Sequence, residues 1–267
     1  MKSVCNLAVQ LIKSSGAQSS AAARRHEAKM CKELKTKVLH LSSPTSNGPS
    51  IRQESLTDAA EILSCTVKAL KEGHVVAVPT DTIYGLACLA QNSDAIRKTY
   101  GIKGRNGQKP LAICVGEIQD IYKYCKVMVK KELLRDLLPG PVTLVFERSE
   151  VLNTDFNPFT SLVGVRIPDH AFMRRLCQMC REPLALTSAN ISSQTSTVAV
   201  NEFKELWPKV AVVVDGGPIG DQSRLGSTVV DLSVHGKYRI IRPGCALSST
   251  VNVLQHKYGL SEDSGKE

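Results

Sequence analysis

Short apolar runs separated by polar, helix-patterned stretches recur along most of the chain, and they set its predicted elements. Ser55-x-x-Asp58 reads as a capping box, Ile62, Leu63, Val67 and Leu70 line one face of the helix that follows, and Gly73 closes it where a left-handed residue is wanted. A strand follows at Val75 to Val78, then helix signals around Asp94 to Tyr100 and a strand at Leu111 to Val115. Ile118 to Cys125 and Lys131 to Leu138 read as helices, Val142 to Phe146 and Leu162 to Ile167 as strands, and Ala171 to Cys180 as a helix. Leu184 to Leu186 is strand-like, Glu202 to Trp207 helical, and Val210 to Val214, Thr228 to Leu232 and Tyr238 to Ile241 close the series as strands. Strands alternating with helices imply a largely parallel sheet, and the closing cluster with short links implies antiparallel additions. The predicted fold is α/β, a mixed twisted open sheet flanked by helices.

Upstream of this pattern, Leu41 to Gln53 is a Ser, Pro and Gly linker, so the domain is expected to begin near Glu54. The expected division is a basic leader and linker over 1–53, a catalytic domain over 54–250 and a polar tail over 251–267. The first 26 residues hold no acid and are rich in Ser and Ala, the composition of a mitochondrial transit peptide or of a plain basic tail. The longest apolar runs are strand-sized, far below the roughly 18 to 20 residues of a membrane-spanning helix.

The formal charge of +9 suggests nucleic acid until its distribution is considered. Up to Leu41 there are eight Lys or Arg against two acids, which leaves +3 for the remainder. A body so close to neutral argues against an extended phosphate-tracking surface. Nine scattered cysteines do not make the even, dense framework of a small secreted domain and fit a reducing compartment. Cys177-x-x-Cys180 falls inside an apolar helical pattern and reads as core filling rather than a metal or redox site.

Ligands in such sheets bind where strands end, and polar groups follow several of the apolar runs. Thr80-Asp81-Thr82 follows Pro79. Lys103-Gly104-Arg105 opens a basic loop whose glycines and cations suit an anion. Pro139-Gly140-Pro141-Val142-Thr143 turns into a strand, Ser188-Ala189-Asn190 ends one, and Gly226-Ser227-Thr228, Arg166 and Arg242-Pro243-Gly244 lie at other strand ends. Neither a Walker A loop nor a G-x-G-x-x-G fingerprint is present.

In order, Pro79 to Leu86, Lys103 to Arg105, Pro139 to Thr143, Val165 to Pro168, Ser188 to Asn190, Gly226 to Asp231 and Ile241 to Gly244 resemble the motifs of the YrdC/Sua5 family, the threonylcarbamoyl-AMP synthases. The likeness covers about Ser55 to Ala246. It implies a YrdC-like sheet around a positively charged cavity, and an L-threonylcarbamoyladenylate synthase, a nucleotidyltransferase, acting in tRNA modification. Its substrates would be ATP, L-threonine and bicarbonate, with Mg²⁺ accompanying ATP and metal ligands unknown. It places Lys103, Arg105, Ser188 and Asn190 in the family's catalytic quartet, Thr82, Ser227 and Arg166 with L-threonine, and Arg105, Thr143, Ser188, Ser196 and Arg242 with the nucleotide. Asp81 is a candidate to orient the amine or a metal-bound water. A separate threonylcarbamoyl transferase complex would take the product, so tRNA is met only indirectly, and the leader would give cytoplasmic and mitochondrial pools. The residues alone leave two other readings open: a non-catalytic RNA-binding module using the same basic cavity, and weak peripheral membrane association through the leader.

Overall fold

The computed structural model describes residues 35–41, 49–104, 109–221 and 223–263. The sheet begins before the predicted start at Glu54: Lys37–His40 forms strand β1, in parallel register with Val212–Asp215. Helix α1 spans Pro49–Lys71, so Ser55 lies within a helix and does not cap it. Proline's fixed φ and missing donor suit the first helical turn, and that signal outranks the capping box six residues on. The helix ends as expected, on Gly73 at φ +76°. Residues 1–34, which carry most of the predicted leader, lie outside the described residues.

After β2 (Val76–Val78), the chain turns through Thr80 to Thr82 into β3 (Gly85–Leu89), a strand the sequence pattern does not predict. Helix α2 (Ser93–Lys103), β4 (Ala112–Cys114), α3 (Ile118–Tyr124), β5 (Cys125–Lys126), α4 (Lys131–Leu137), β6 (Val142–Arg148) and β7 (Leu162–Arg166) follow. Then come α5 (Ala171–Cys180), β8 (Leu184–Ser188), a 3₁₀ segment (Val200–Lys209), β9 (Val212–Asp215), β10 (Thr228–Asp231) and β11 (Lys237–Arg242). Strand order is β1-β9-β2-β3-β8-β4-β7-β6-β10-β11, continuing to β12 (Ser261–Glu262), with β5 beside β6. The sheet is mixed as predicted, but its antiparallel pairings run through the centre, β2 with β3, β3 with β8 and β8 with β4. They are not confined to the closing strands: the unpredicted β3 makes two of them, and β8 with β4 and β6 with β7 are antiparallel without it.

Two apolar layers clamp the sheet. On one face Val76, Val78, Ala87, Leu89, Leu184 and Leu186 pack beneath α1 and α5. On the other, Ala77, Leu86, Ile113, Leu144, Val165 and Val230 form the larger core with α2, α4 and the 3₁₀ segment. The cluster beneath α1 and α5 stops at Cys114, and farther along that face Gly164 and Val229 are only half-buried. Helices α1 and α5 thus cover only half of this face of the sheet.

The expected polar tail over 251–267 is ordered as far as it is described. Helix α6 (Leu247–Asn252) runs into a π turn (Val253–Lys257), Leu254 is fully buried, and Val251, Val253, Tyr258 and Leu260 pack against the main core. These apolar positions recur at helical spacing, and that periodicity overrides the polar residues between them. No helix among the described residues is long and apolar enough to cross a membrane.

Candidate active site

Sheet register brings the strand-end residues into one row. Thr143 on β6 pairs with Val229 on β10, Val229 pairs with Arg242 on β11, and Cys114 on β4 pairs with Arg166 on β7. Antiparallel register between β6 and β7 pairs Leu144 with Val165, so the next step sets Thr143 opposite Arg166. Cross-strand partners share a face, so Arg242, Thr143 and Arg166 stand on the half-covered side.

The position of Arg242 depends on a bulge. Val230 pairs with Ile240 while Val229 pairs with Arg242, so Ile241 is the extra residue and is half exposed. Because side chains alternate, an unbulged strand would put Ile241 on the half-covered face and turn Arg242 away. Arg242 Nη2 donates to the Ser227 carbonyl at 2.9 Å and lies 3.4 Å from Ser227 Oγ, which is 2.7 Å from Thr143 Oγ1. Thr143 and Ser227 are buried, and Arg242 has solvent contact. Crowding by the surrounding protein, then the charge of Arg166, holds the Arg242 pKa below its ordinary value. Two guanidinium groups that sense each other in crowded surroundings favour an anion.

Gly244 makes this approach possible. A Cβ there would lie 2.4 Å from both Ser227 C and Thr228 N, which are backbone atoms with little freedom to yield. Gly244→Ala is therefore expected to destabilise the fold by about 1–3 kcal/mol and push Arg242 off Ser227. Thermal unfolding will check this as a lowered Tm.

Arg166 is buried and bonds to Asp81 through Nη2, which also donates to Thr82 Oγ1 at 2.8 Å. The second Asp81 oxygen accepts from the Asp169 backbone N–H at 3.0 Å. Asp81 thus joins Arg166 to the β7 to α5 turn. Thr80 makes a local turn, its hydroxyl donating to the Ile83 carbonyl at 2.7 Å and accepting from the Thr82 N–H at 3.1 Å. Arg166 Nε is buried and makes no hydrogen bond among the described residues, which leaves a donor to offer a ligand.

The other cationic cluster starts from α2. Lys103 closes that helix, ahead of Gly104 at φ +60°, and is fully buried. Its ammonium donates to the Ser188 carbonyl at 2.6 Å, to Ser188 Oγ at 3.2 Å, to Asn190 Oδ1 at 3.0 Å and to the Asn190 carbonyl. The sequence places Lys103 in a loop as a grip on an anion. The structure seats it under the Ser188–Asn190 turn, where it fixes how those residues are presented. Ser188 pairs with Gly85 across β8 and β3, and the Ala189 N–H donates to the Tyr84 carbonyl at 2.8 Å, so this turn adjoins the Thr82 loop. Arg105 lies outside the described residues. Ser196 is half-buried, and its carbonyl accepts from Arg224 Nη1 at 3.1 Å.

His170, at the N-cap of α5, was not singled out from the sequence. Its Nδ1 is buried without a hydrogen bond among the described residues, and it senses the charges of Asp81, Arg174 and Asp169. Burial lowers its pKa, with Arg174 adding to the shift and Asp81 and Asp169 opposing it. A histidine whose folded pKa is depressed lends stability above its unfolded pKa, near 6.5, and that stability is lost as pH falls through the folded value. Between pH 7.5 and about pH 5 the Tm is expected to fall less steeply in His170→Gln than in the unaltered protein. Parallel thermal scans at the two pH values test this.

Cys177 and Cys180 are buried among the residues of α5 that face the sheet, with Cys177 Sγ 3.5 Å from Cys114 Sγ. Among the described residues no group of three His, Cys, Asp or Glu side chains stands where it would hold a metal ion.

A mixed α/β sheet with two guanidiniums, a buried ammonium and several hydroxyls at its strand ends has the donors that could hold a small anionic ligand there. The family model Sua5_yciO_yrdC, described as Telomere recombination, matches residues 68–244. A threonylcarbamoyl-AMP synthase of Mus musculus is 62% identical over 209 residues, covering 77% of this chain and 75% of that protein. The Homo sapiens threonylcarbamoyl-AMP synthase is 63% identical over 204 residues, covering 75% of this chain and 73% of its own. Among solved structures, P. abyssi Sua5 complexed with L-threonine superposes with a TM-score of 0.71 at 26% identity, covering 86% of this chain. This chain spans 64% of that archaeal protein. The chain belongs to the Sua5/YciO/YrdC family.

Proposed function

We propose that this protein is an enzyme that makes threonylcarbamoyl-AMP and pyrophosphate from L-threonine, bicarbonate and ATP. It would thereby supply the activated group for N6-threonylcarbamoyladenosine in ANN-decoding tRNAs. The observation that carries the reading is the alignment of Arg166, Thr143 and Arg242 on one face of the sheet, in a chain 62% identical to a synthase of that name.

The chemistry asks the protein for position and charge rather than for a nucleophile of its own. Threonine's deprotonated amine adds to the carbon of bicarbonate and water leaves, giving a carbamate. A carbamate oxygen then attacks the α-phosphorus, the bond to the bridging oxygen breaks, and pyrophosphate departs. This is nucleotidyl transfer, with the attacking atom brought by the substrate. Arg166, through its unspent Nε, suits the threonine carboxylate, and Thr82 and Ser227 suit the threonine hydroxyl. Arg242, Thr143, Ser188 and Ser196 suit the nucleotide, with Arg105 as a further phosphate ligand. Lys103 and Asn190 shape the turn that presents Ser188.

Mg²⁺ is assigned to the substrate rather than to a protein cage. Both Asp81 oxygens are taken and no carboxylate cluster is described, whereas magnesium readily travels on nucleotide phosphates. The product would pass to a threonylcarbamoyl transferase complex, so contact with tRNA is indirect. We assign the basic leader to mitochondrial import, with a second pool in the cytoplasm and weak membrane contact through the leader alone.

The test is pyrophosphate release from ATP by the purified full chain. The expected result is turnover only when both L-threonine and bicarbonate are present. Turnover independent of either, or RNA retention with no turnover, would contradict the proposal.

A further inference from the structure

Between β9 and β10 the chain crosses over the Thr82 turn as a strap, and its fastening is not explained by the chemistry above. Its near end is tied by Tyr84, whose hydroxyl donates to the Gly217 carbonyl at 2.7 Å and accepts from the Gly216 N–H at 3.0 Å. Midway, the Ile219 N–H donates to the Val198 carbonyl at 2.9 Å. Gly220, at φ +69°, then passes so close to the turn that a Cβ would lie 2.2 Å from the Thr82 carbonyl oxygen. The far end is held by Arg224. Its guanidinium takes both carboxylate oxygens of Glu202, at 2.7 and 2.8 Å, and bonds the Ser196 carbonyl. Glu202 in turn accepts from the Val198 N–H at 3.0 Å.

Two features set this contact apart from an ordinary surface ion pair. It is bidentate and joins three separate segments, the strap, the Ser196–Val198 loop and the 3₁₀ segment. Arg224 also adopts φ +54°, a left-handed conformation that costs a non-glycine residue energy and that glycine would adopt freely. The side chain therefore has to repay the backbone. The hydrogen bonds from Arg224, aided by the Val198 N–H and the Arg224 charge, draw the Glu202 carboxyl below the usual range, consistent with a formed pair. Two residues beyond Arg224 stands Gly226, whose position for a Cβ is 3.5 Å from Ile83 Cδ1 and 3.3 Å from Arg242 Nη2, and Ser227 follows.

We propose that Arg224 and Glu202 are positioning residues for the threonine-binding end of the site, clasping the strap onto Thr82 and setting the place of Ser227. The proposal rests on the function assigned above. Unclasped, the strap loses its far anchor while its strand ends stay in the sheet. The cost then falls on substrate affinity more than on the chemical step, because Arg166 is held by Asp81 and Arg242 is carried by β11 in register with β10.

The experiment measures threonine KM and kcat by pyrophosphate release, with threonine binding followed independently by calorimetry. The variants are R224G, E202Q, R224E, E202R and the double exchange R224E/E202R. R224G removes the clasp while relieving the backbone, so its fold is preserved. R224G and each charge reversal are expected to raise threonine KM and Kd by about tenfold with kcat changed less than about threefold. The double exchange restores opposite charges but not the bonds to the Ser196 carbonyl and the Val198 N–H, so it is expected to recover only part of the affinity lost in the single reversals. Wild-type threonine affinity in R224G overturns the proposal. Failure of the functional assignment would show differently, as an unaltered protein that neither turns over nor binds threonine.

Discussion

Lys103→Met is expected to slow pyrophosphate release by about 100- to 1000-fold and to lower unfolding free energy by about 3 kcal/mol. The Lys103 side chain is fully buried and its ammonium serves four oxygens of Ser188 and Asn190. Methionine keeps the length and removes every donor, so two carbonyls, a hydroxyl and a side-chain amide oxygen lose a partner inside the protein. The Ser188–Asn190 turn then relaxes, and the groups it offers the nucleotide move by more than catalysis tolerates. Both effects share one cause, so they should appear together. Chemical denaturation and steady-state kinetics on the same preparation check this, and lost turnover with unchanged stability would show that Lys103 acts on the substrate rather than on the turn.

Arg166→Met carries the second large effect, and here stability and binding separate. The Arg166 and Asp81 side chains are 7% and 9% exposed, so removing the guanidinium strands a carboxylate away from water, at a cost of about 3–5 kcal/mol. Asp81→Asn in the same chain removes the stranded charge. The double variant Arg166→Met/Asp81→Asn is expected to regain most of the lost stability yet bind threonine about 100-fold more weakly than the unaltered protein, because the donor for its carboxylate is still missing. Calorimetric titration with L-threonine and denaturant unfolding give the two numbers. A double variant that regains both would assign Arg166 to folding alone.

The elements legible in the sequence are those whose side chains carry strong periodic or β-branched signals. Val142 to Phe146, Leu162 to Ile167 and Ala171 to Cys180 fall within a residue or two of β6, β7 and α5. Strand β3 was missed because Gly85-Leu-Ala-Cys-Leu89 has no β-branched residue and no polar alternation. It is buried on both faces and is specified by its neighbours β2 and β8. Strand β1 was missed because Lys37-Val-Leu-His40 is short and sits in a basic stretch, and it depends on a partner 175 residues away.

The candidate residues at strand ends were legible because polar groups directly after buried runs need a physical reason to be there. Thr143, Arg166, Ser227 and Arg242 do meet on one side of the sheet. The individual tasks of their neighbours were not legible. Asp81 looked available and is bonded to Arg166, and Lys103, expected in a basic loop, is buried at the end of α2. Nothing local distinguishes those states, because each is decided by a residue about 85 positions away. The aim of Arg242 was hidden for a similar reason, since it turns on one extra residue, Ile241, visible only once β11 is in register with β10.

The central claim is that loops from separate strands seat an amino acid and a triphosphate in one concavity. A crystal structure of the full chain with L-threonine and a non-hydrolysable ATP analogue tests it directly. The account predicts the threonine carboxylate on Arg166, the nucleotide phosphates beside Arg242 and Thr143, and room for a carbamate oxygen about 3–3.5 Å from the α-phosphorus. Threonine and nucleotide found on opposite faces of the sheet, or neither within reach of Arg166 and Arg242, would contradict it.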